Sequence, residues 1–135
     1  MMEYVGARCT ICYCEQPADG DDPQTWVPPS WTEAIGHIQA SKRDGIAAKM
    51  AARRTLLADK GRLRSPDHWN TEGDLPNGKK FYAIKADKIR AYGWFSSQHK
   101  GVFYISHFAF KKGQKLATAD THRVVENWRQ IEEQA

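Results

Sequence analysis

Residues 81–115, FYAIKADKIRAYGWFSSQHKGVFYISHFAFKKGQK, decide how this chain folds. Phe81, Ala83 and Lys85 alternate against Tyr82 and Ile84, the two-residue period of a β-strand. Lys88–Phe95 follows with the strand formers Ile89, Tyr92 and Trp94, and Val102–Phe110 (VFYISHFAF) is the most strand-like run of all. Asp87 and the polar Ser96–Gly101 segment supply the turns, so the stretch reads as three successive antiparallel strands. Strict alternation along the third puts Val102, Tyr104, Ser106 and Phe108 on one face and Phe103, Ile105, His107 and Ala109 on the other.

Upstream, the period changes. Ser30 offers a helix start with Glu33 as its capping-box partner, and Trp31–Ala40 places Ala34, Ile35 and Ile38 on one side. Ser41 offers a second cap, and Ile46, Met50, Ala51 and Leu57 continue at helical spacing until Gly61 ends the helix near Lys60. Between this helical pair and Phe81 lies a polar stretch with Pro66, Gly73, Pro76 and Gly78, read as loop. Downstream, Val124, Trp128 and Ile131 at i, i+4 and i+7 predict a helix over about Ala119–Glu133. The order helix, helix, strand, strand, strand, helix implies an α+β fold, with an N-terminal helical hairpin packed on a small antiparallel sheet and a C-terminal helix. Residues 1–29 hold four of the six prolines and an acidic cluster at Asp19, Asp21 and Asp22. They read as an irregular extension to a domain spanning 30–135.

With 135 residues, 41% of them hydrophobic, the chain supports one modest core and is not disordered over most of its length. No apolar run approaches the roughly 20 residues of a membrane span, and the N-terminus MMEYVGARCTICYCEQ lacks a signal-peptide pattern, so the expected location is the cytoplasm. The net charge of +4 hides an asymmetry: residues 1–40 carry one basic and six acidic side chains, whereas residues 79–115 carry nine Lys/Arg and the single acid Asp87. A polyanion would be drawn to that second segment, although a run of charge is also an ordinary solvated face. Cys9, Cys12 and Cys14 are too few and too odd in number for a disulfide framework. The C-x-x-C-x-C spacing offers thiolates to zinc with His37 as a fourth ligand, but no second pair of ligands accompanies it, and free thiols are the expectation.

The 81–115 stretch resembles the C-terminal half of RelE/ParE-superfamily toxins, particularly the HigB-like, phage-derived branch. In that branch one strand ends on a basic residue, the next carries an arginine and an aromatic, and the third leads to a histidine, an aromatic and a lysine pair. Here these are Lys85, Arg90 with Tyr92, and His107 with Phe110, Lys111 and Lys112. The likeness covers about Trp31–Ile131. Lys85 departs from the branch's usual arginine and loses its planar fork, and Leu116–Ala117 stands in place of the usual Thr-Pro. The resemblance implies a toxin of a type II toxin–antitoxin pair. In the RelE and HigB lineages that means an mRNA endonuclease on translating ribosomes. ParE relatives share the fold but inhibit DNA gyrase without cleaving anything, and fold alone does not separate the two.

Metal-independent RNA cleavage, with no cofactor, needs a base for a 2′-hydroxyl, cations for the charge growing on phosphorus and an acid for the leaving oxygen. Arg90, Lys111 and Lys112 suit the cationic role; their ordinary reading is solvated surface charge, or for Arg90 an ion pair with Asp87. His107 is the titratable candidate for acid or base, against the reading of a satisfied histidine in an aromatic strand. Lys85, Lys88, Tyr92 and Lys115 are the candidate RNA contacts, with Tyr92 able to stack on a base or to serve as a core tyrosine. The expected partners are an antitoxin whose acidic or amphipathic segment covers the basic face, the ribosome and mRNA; no membrane is expected.

Overall fold

Strand periodicity reaches further than one meander. In the computed structural model, which describes residues 3–113 and 115–133, the elements run β1 (Glu3–Val5), β2 (Thr10–Tyr13), α1 (Pro29–Ile35), α2 (Ala40–Lys60), β3 (Trp69–Asp74), β4 (Lys80–Ala86), β5 (Ile89–Phe95), β6 (Val102–Phe110) and α3 (Thr118–Glu132). One six-stranded sheet has the order β1-β2-β6-β5-β4-β3. β2 runs parallel to β6, and every other neighbouring pair is antiparallel.

This corrects the expected small antiparallel sheet with an N-terminal helical hairpin. The β4–β5–β6 meander is present, but it forms the middle of a mixed sheet, and two strands precede the helices. Prolines 17, 23, 28 and 29 all follow Tyr13, so only the stretch after β2 is irregular. Ahead of it, Ile11 and Tyr13 alternate with Thr10 and Cys12 as a strand requires and are buried in the sheet. The residue 62–78 loop also contains a strand. β3 carries one large apolar residue, Trp69, among polar ones, because it is an edge strand with little to bury.

The helices differ in their ends as well. α1 starts with Pro29 in its first turn and no side-chain cap. The Ser30 hydroxyl is used elsewhere: it accepts the Phe108 N–H (2.9 Å) and donates to Glu15, whose other oxygen takes the Ser30 N–H (3.0 Å). α1 thereby takes over the edge of β6 where β2 stops. α2 begins at Ala40, not at a Ser41 cap, and ends as expected at Gly61, whose φ of 78° admits the left-handed turn.

α1 and α2 pack on one face of the sheet and α3 on the other. On the α2 face, Ile46, Met50 and Leu57 meet Ile84, Ile105 and Phe108. On the α3 face, Val124 and Trp128 meet Phe81, Tyr92 and Trp94. Glu132, buried near the end of α3, accepts the Ser97 and Gln98 N–H groups and the Ser96 hydroxyl, tying the β5–β6 turn to the helix. Among the described residues, no helix is long and apolar enough to cross a membrane.

Candidate functional site

The register between β5 and β6 contains one irregularity, and it places His107. Gly93 lies opposite Ile105 while Tyr92 lies opposite His107, so Ser106 is an extra residue in β6, a β-bulge. Before it, Phe103 and Ile105 face α2; after it, Phe108 does, and His107 turns to the α3 face. Strict alternation, which groups His107 with Phe103 and Ile105, is therefore corrected. Glycine at 93 permits the close strand approach: a Cβ there would lie 2.3 Å from the Tyr104 carbonyl oxygen and 2.5 Å from the Phe103 ring.

His107 is 1% exposed and both of its ring nitrogens are engaged. Nδ1 lies 2.8 Å from Ser106 Oγ, and Nε2 lies 2.8 Å from Asp120 Oδ1 on α3. Asn127 Nδ2, a further two turns along α3, donates to the same Ser106 oxygen at 2.8 Å. One proton assignment satisfies every group with a neutral imidazole: Asn127 donates to Ser106, Ser106 to Nδ1, and Nε2–H to Asp120. Serine, histidine and aspartate in a row resemble a nucleophilic triad in composition only. The Ser106 hydroxyl is fully buried and beyond the reach of substrate. His107 likewise has both ring nitrogens engaged and presents neither to a ribose hydroxyl in this arrangement. It holds Asp120, whose side chain is 24% exposed, at the surface.

Some of the cations fall into two groups. Lys85, Arg90 and Ala109 form a row across β4, β5 and β6, one step from the row that carries Tyr92 and His107. Arg90 is partly buried; its Nη1 donates to the Asp87 and Ile89 carbonyls (2.6 and 3.1 Å), and its Nε is buried without an acceptor. It does not form the ion pair with Asp87, whose carboxylate instead meets Lys49 at 3.3 Å. Burial lowers the Arg90 pKa, opposed by Tyr92 and Glu72 nearby. Tyr92 is a core residue, 5.5 Å from the His107 ring; burial, with Asp120 and Glu72, holds its phenol protonated well above the ordinary range. Lys85 donates to the Pro66 carbonyl (2.8 Å) and to Asn70 (3.4 Å). Lys88 sits in the two-residue β4–β5 turn beside Asp87, whose φ is 52°. The Lys111 N–H extends the ladder to the Lys88 carbonyl (2.8 Å), and Lys115 is exposed beyond it.

The second group surrounds a polar cleft at the free edge of β6, between α1 and the start of α3. Glu33, His37, Lys112, Asp120 and Arg123 line it, with His107 beneath. His37 stacks on Phe110 (4.9 Å, 19°), and Arg123 pairs with Glu15 at 3.5 Å. Cys9 is buried against the Leu57 carbonyl (3.7 Å), and among the described residues no group of three or more His, Cys, Asp or Glu is arranged to hold a metal.

Of the residues picked from sequence, the fold brings Lys85, Arg90, Tyr92 and His107 onto neighbouring rows and joins Lys112 to His107 in the cleft. Lys88 and Lys115 stay outside both groupings. Asp120 and Arg123 were not singled out in the sequence, and Glu33 stood there only as the capping-box partner of Ser30; an acid in the first turn of the last helix was the only sign of Asp120. Compared with protein-family models, curated proteins and solved structures, the chain matches none.

Proposed function

We propose that this protein is the toxin of a type II toxin–antitoxin pair, an endoribonuclease that cuts mRNA on translating ribosomes at the rim between Arg90 and the Asp120–Lys112 cleft. One observation carries the reading. The bulge at Ser106 turns His107 toward α3, so that a carboxylate held by a buried imidazole stands in the same cleft as Lys112. Arg90 lies across Ala109 from it.

The chemistry assigned to this arrangement needs no bound metal. Asp120 takes the proton of the 2′-hydroxyl as that oxygen attacks phosphorus. Arg90, Lys111 and Lys112 offset the charge that builds on the phosphorane oxygens. The bond to the 5′-oxygen breaks with a proton from the Lys112 ammonium, leaving a 2′,3′-cyclic phosphate. Lys85, Lys88 and Lys115 lengthen the track for the RNA backbone. The partner in the cytoplasm is an antitoxin whose acidic segment covers these cations.

Purified protein, ribosomes and a defined message test the proposal. Codon-phased cuts are expected, reduced 100-fold or more by Asp120→Asn and by Arg90→Ala in proteins with native circular dichroism. A message left intact by the folded wild-type protein overturns it. A second reading has its own support: the His107 imidazole is sealed, and Lys85 is committed to the Pro66 carbonyl. A non-enzymatic binder of the ParE kind fits that observation, and it predicts an intact message with stalled gyrase.

A further inference from the structure

On the opposite face of the sheet, a recess open to solvent lies between α2 and the segment that leads into α1. Its walls are apolar and ring-rich. Trp26 comes from the leading segment, Trp31 from α1, Met50 from α2, and Tyr13 and Phe108 from the sheet. Trp31 meets Phe108 edge-on at 5.1 Å, and Tyr13 lies 6.1 Å from the same ring, so the floor is a set of aromatic edges and faces.

A single charged side chain, Arg54, lines this space. Its Nη1 donates to the Tyr13 hydroxyl at 3.0 Å, and its guanidinium carbon lies 5.0 Å from the Tyr4 ring centroid. Its Nε is buried without an acceptor, and among the described residues no carboxylate pairs with it. The neighbouring Arg53 turns away and donates to the Lys85 carbonyl. A guanidinium answered only by a phenol and a ring face is short of an anion, and a partly desolvated cation without one is costly. The planar fork of arginine suits a carboxylate in particular. The Tyr13 hydroxyl, which accepts from Arg54, keeps its own proton to donate to the same group.

We infer that this cavity binds a small aromatic monocarboxylic acid, its carboxylate on Arg54 and Tyr13 and its ring among Trp26, Trp31 and Phe108. A single cation calls for a single negative charge, and the apolar walls exclude a second. RNA phosphates, which the proposed activity places on the far face of the sheet, do not compete for it.

The tryptophans in the wall supply the readout. Titration of the full chain with 3-phenylpropionate is expected to shift the tryptophan emission saturably, with 3-phenylpropan-1-ol binding at least ten-fold more weakly. Arg54→Met is expected to bring acid and alcohol within two-fold of each other while alcohol binding persists. Equal affinity of the wild-type protein for acid and alcohol overturns the inference, as does the absence of a saturable shift with either probe. Preference for the acid retained in folded Arg54→Met overturns it too. If Arg54→Met does not fold, Arg54→Lys takes its place: loss of the fork must weaken the acid at least three-fold and leave the alcohol unchanged, and an unchanged acid affinity counts against the site.

Discussion

The two faces of the sheet are built differently. The α2 face is covered by a 21-residue helix whose Ile46, Met50 and Leu57 meet aliphatic and aromatic partners. The α3 face is covered by 15 residues and mixes its apolar contacts with the Asn127–Ser106–His107–Asp120 chain. That face also holds the buried, unpartnered Trp94 and Trp128 indole nitrogens and Arg90 Nε. The first face supplies stability through burial; the second gives up some of it to hold polar groups in fixed places, as functional surfaces do.

The contrast can be broken by substitution. Leu57→Ala, at a position with no exposure, should cost about 2–5 kcal/mol by urea denaturation. Leu116→Ala, at a half-buried position beside α3, should cost less than half as much; equal losses would erase the distinction between the faces. Gly93→Ala tests the bulge. Its Cβ would meet backbone at 2.3 Å, and a loss of about 1–3 kcal/mol is expected, with strand amides of β5 and β6 moving in NMR spectra. A silent substitution would mean that the strands do not approach so closely. Ser106→Ala leaves His107 Nδ1 and Asn127 without a partner and should cost about 1–3 kcal/mol, whereas removal of both partners in Ser106→Ala with Asn127→Leu should recover part of it.

Alkaline pH gives a smaller effect. Cys14 lies beside the α3 core, and burial, with Glu15 and Cys12 against Arg123, pushes its thiol up to about 12. Because the unfolded thiol ionises first, near its ordinary value of about 8.5, stability should be level below that point and fall as pH rises toward 12. Urea melts at pH 8 and pH 10.5 should show the decline, with a shallower one in Cys14→Ser; identical slopes would remove the thiol from the account. Arg90→Ala removes a partly buried side chain with two carbonyl contacts and should cost about 0.5–1.5 kcal/mol, and it should lower the salt slope of RNA binding by about 1.

The residue 81–115 meander, the helix stop at Gly61 and the last helix were legible in the sequence because each rests on local pattern: alternation, a left-handed glycine and an i, i+4, i+7 stripe. The sheet's true size was not. β2 is four residues long, its near partner β1 only three, and the partner that joins it to the sheet, β6, lies far along the chain, so no local window reveals it. β3 looks like loop because an edge strand buries so little. At the site, Arg90 and Lys112 stood out by charge, and His107 by chemistry. Its correct face depended on one extra residue in β6, and that is a property of the pairing with Gly93. Asp120 became visible only when α3 was laid across that bulge.

The parallel pairing of Thr10 with Val102 also bears on how the chain is made. A ribosome synthesises the β2 segment early, yet its only interior neighbour emerges some ninety residues later. Until then β1 and β2 have no larger sheet to join, and closing so long a loop makes completion slow. A prematurely ended translation product therefore lacks the finished sheet, and whatever that sheet binds awaits its last strand.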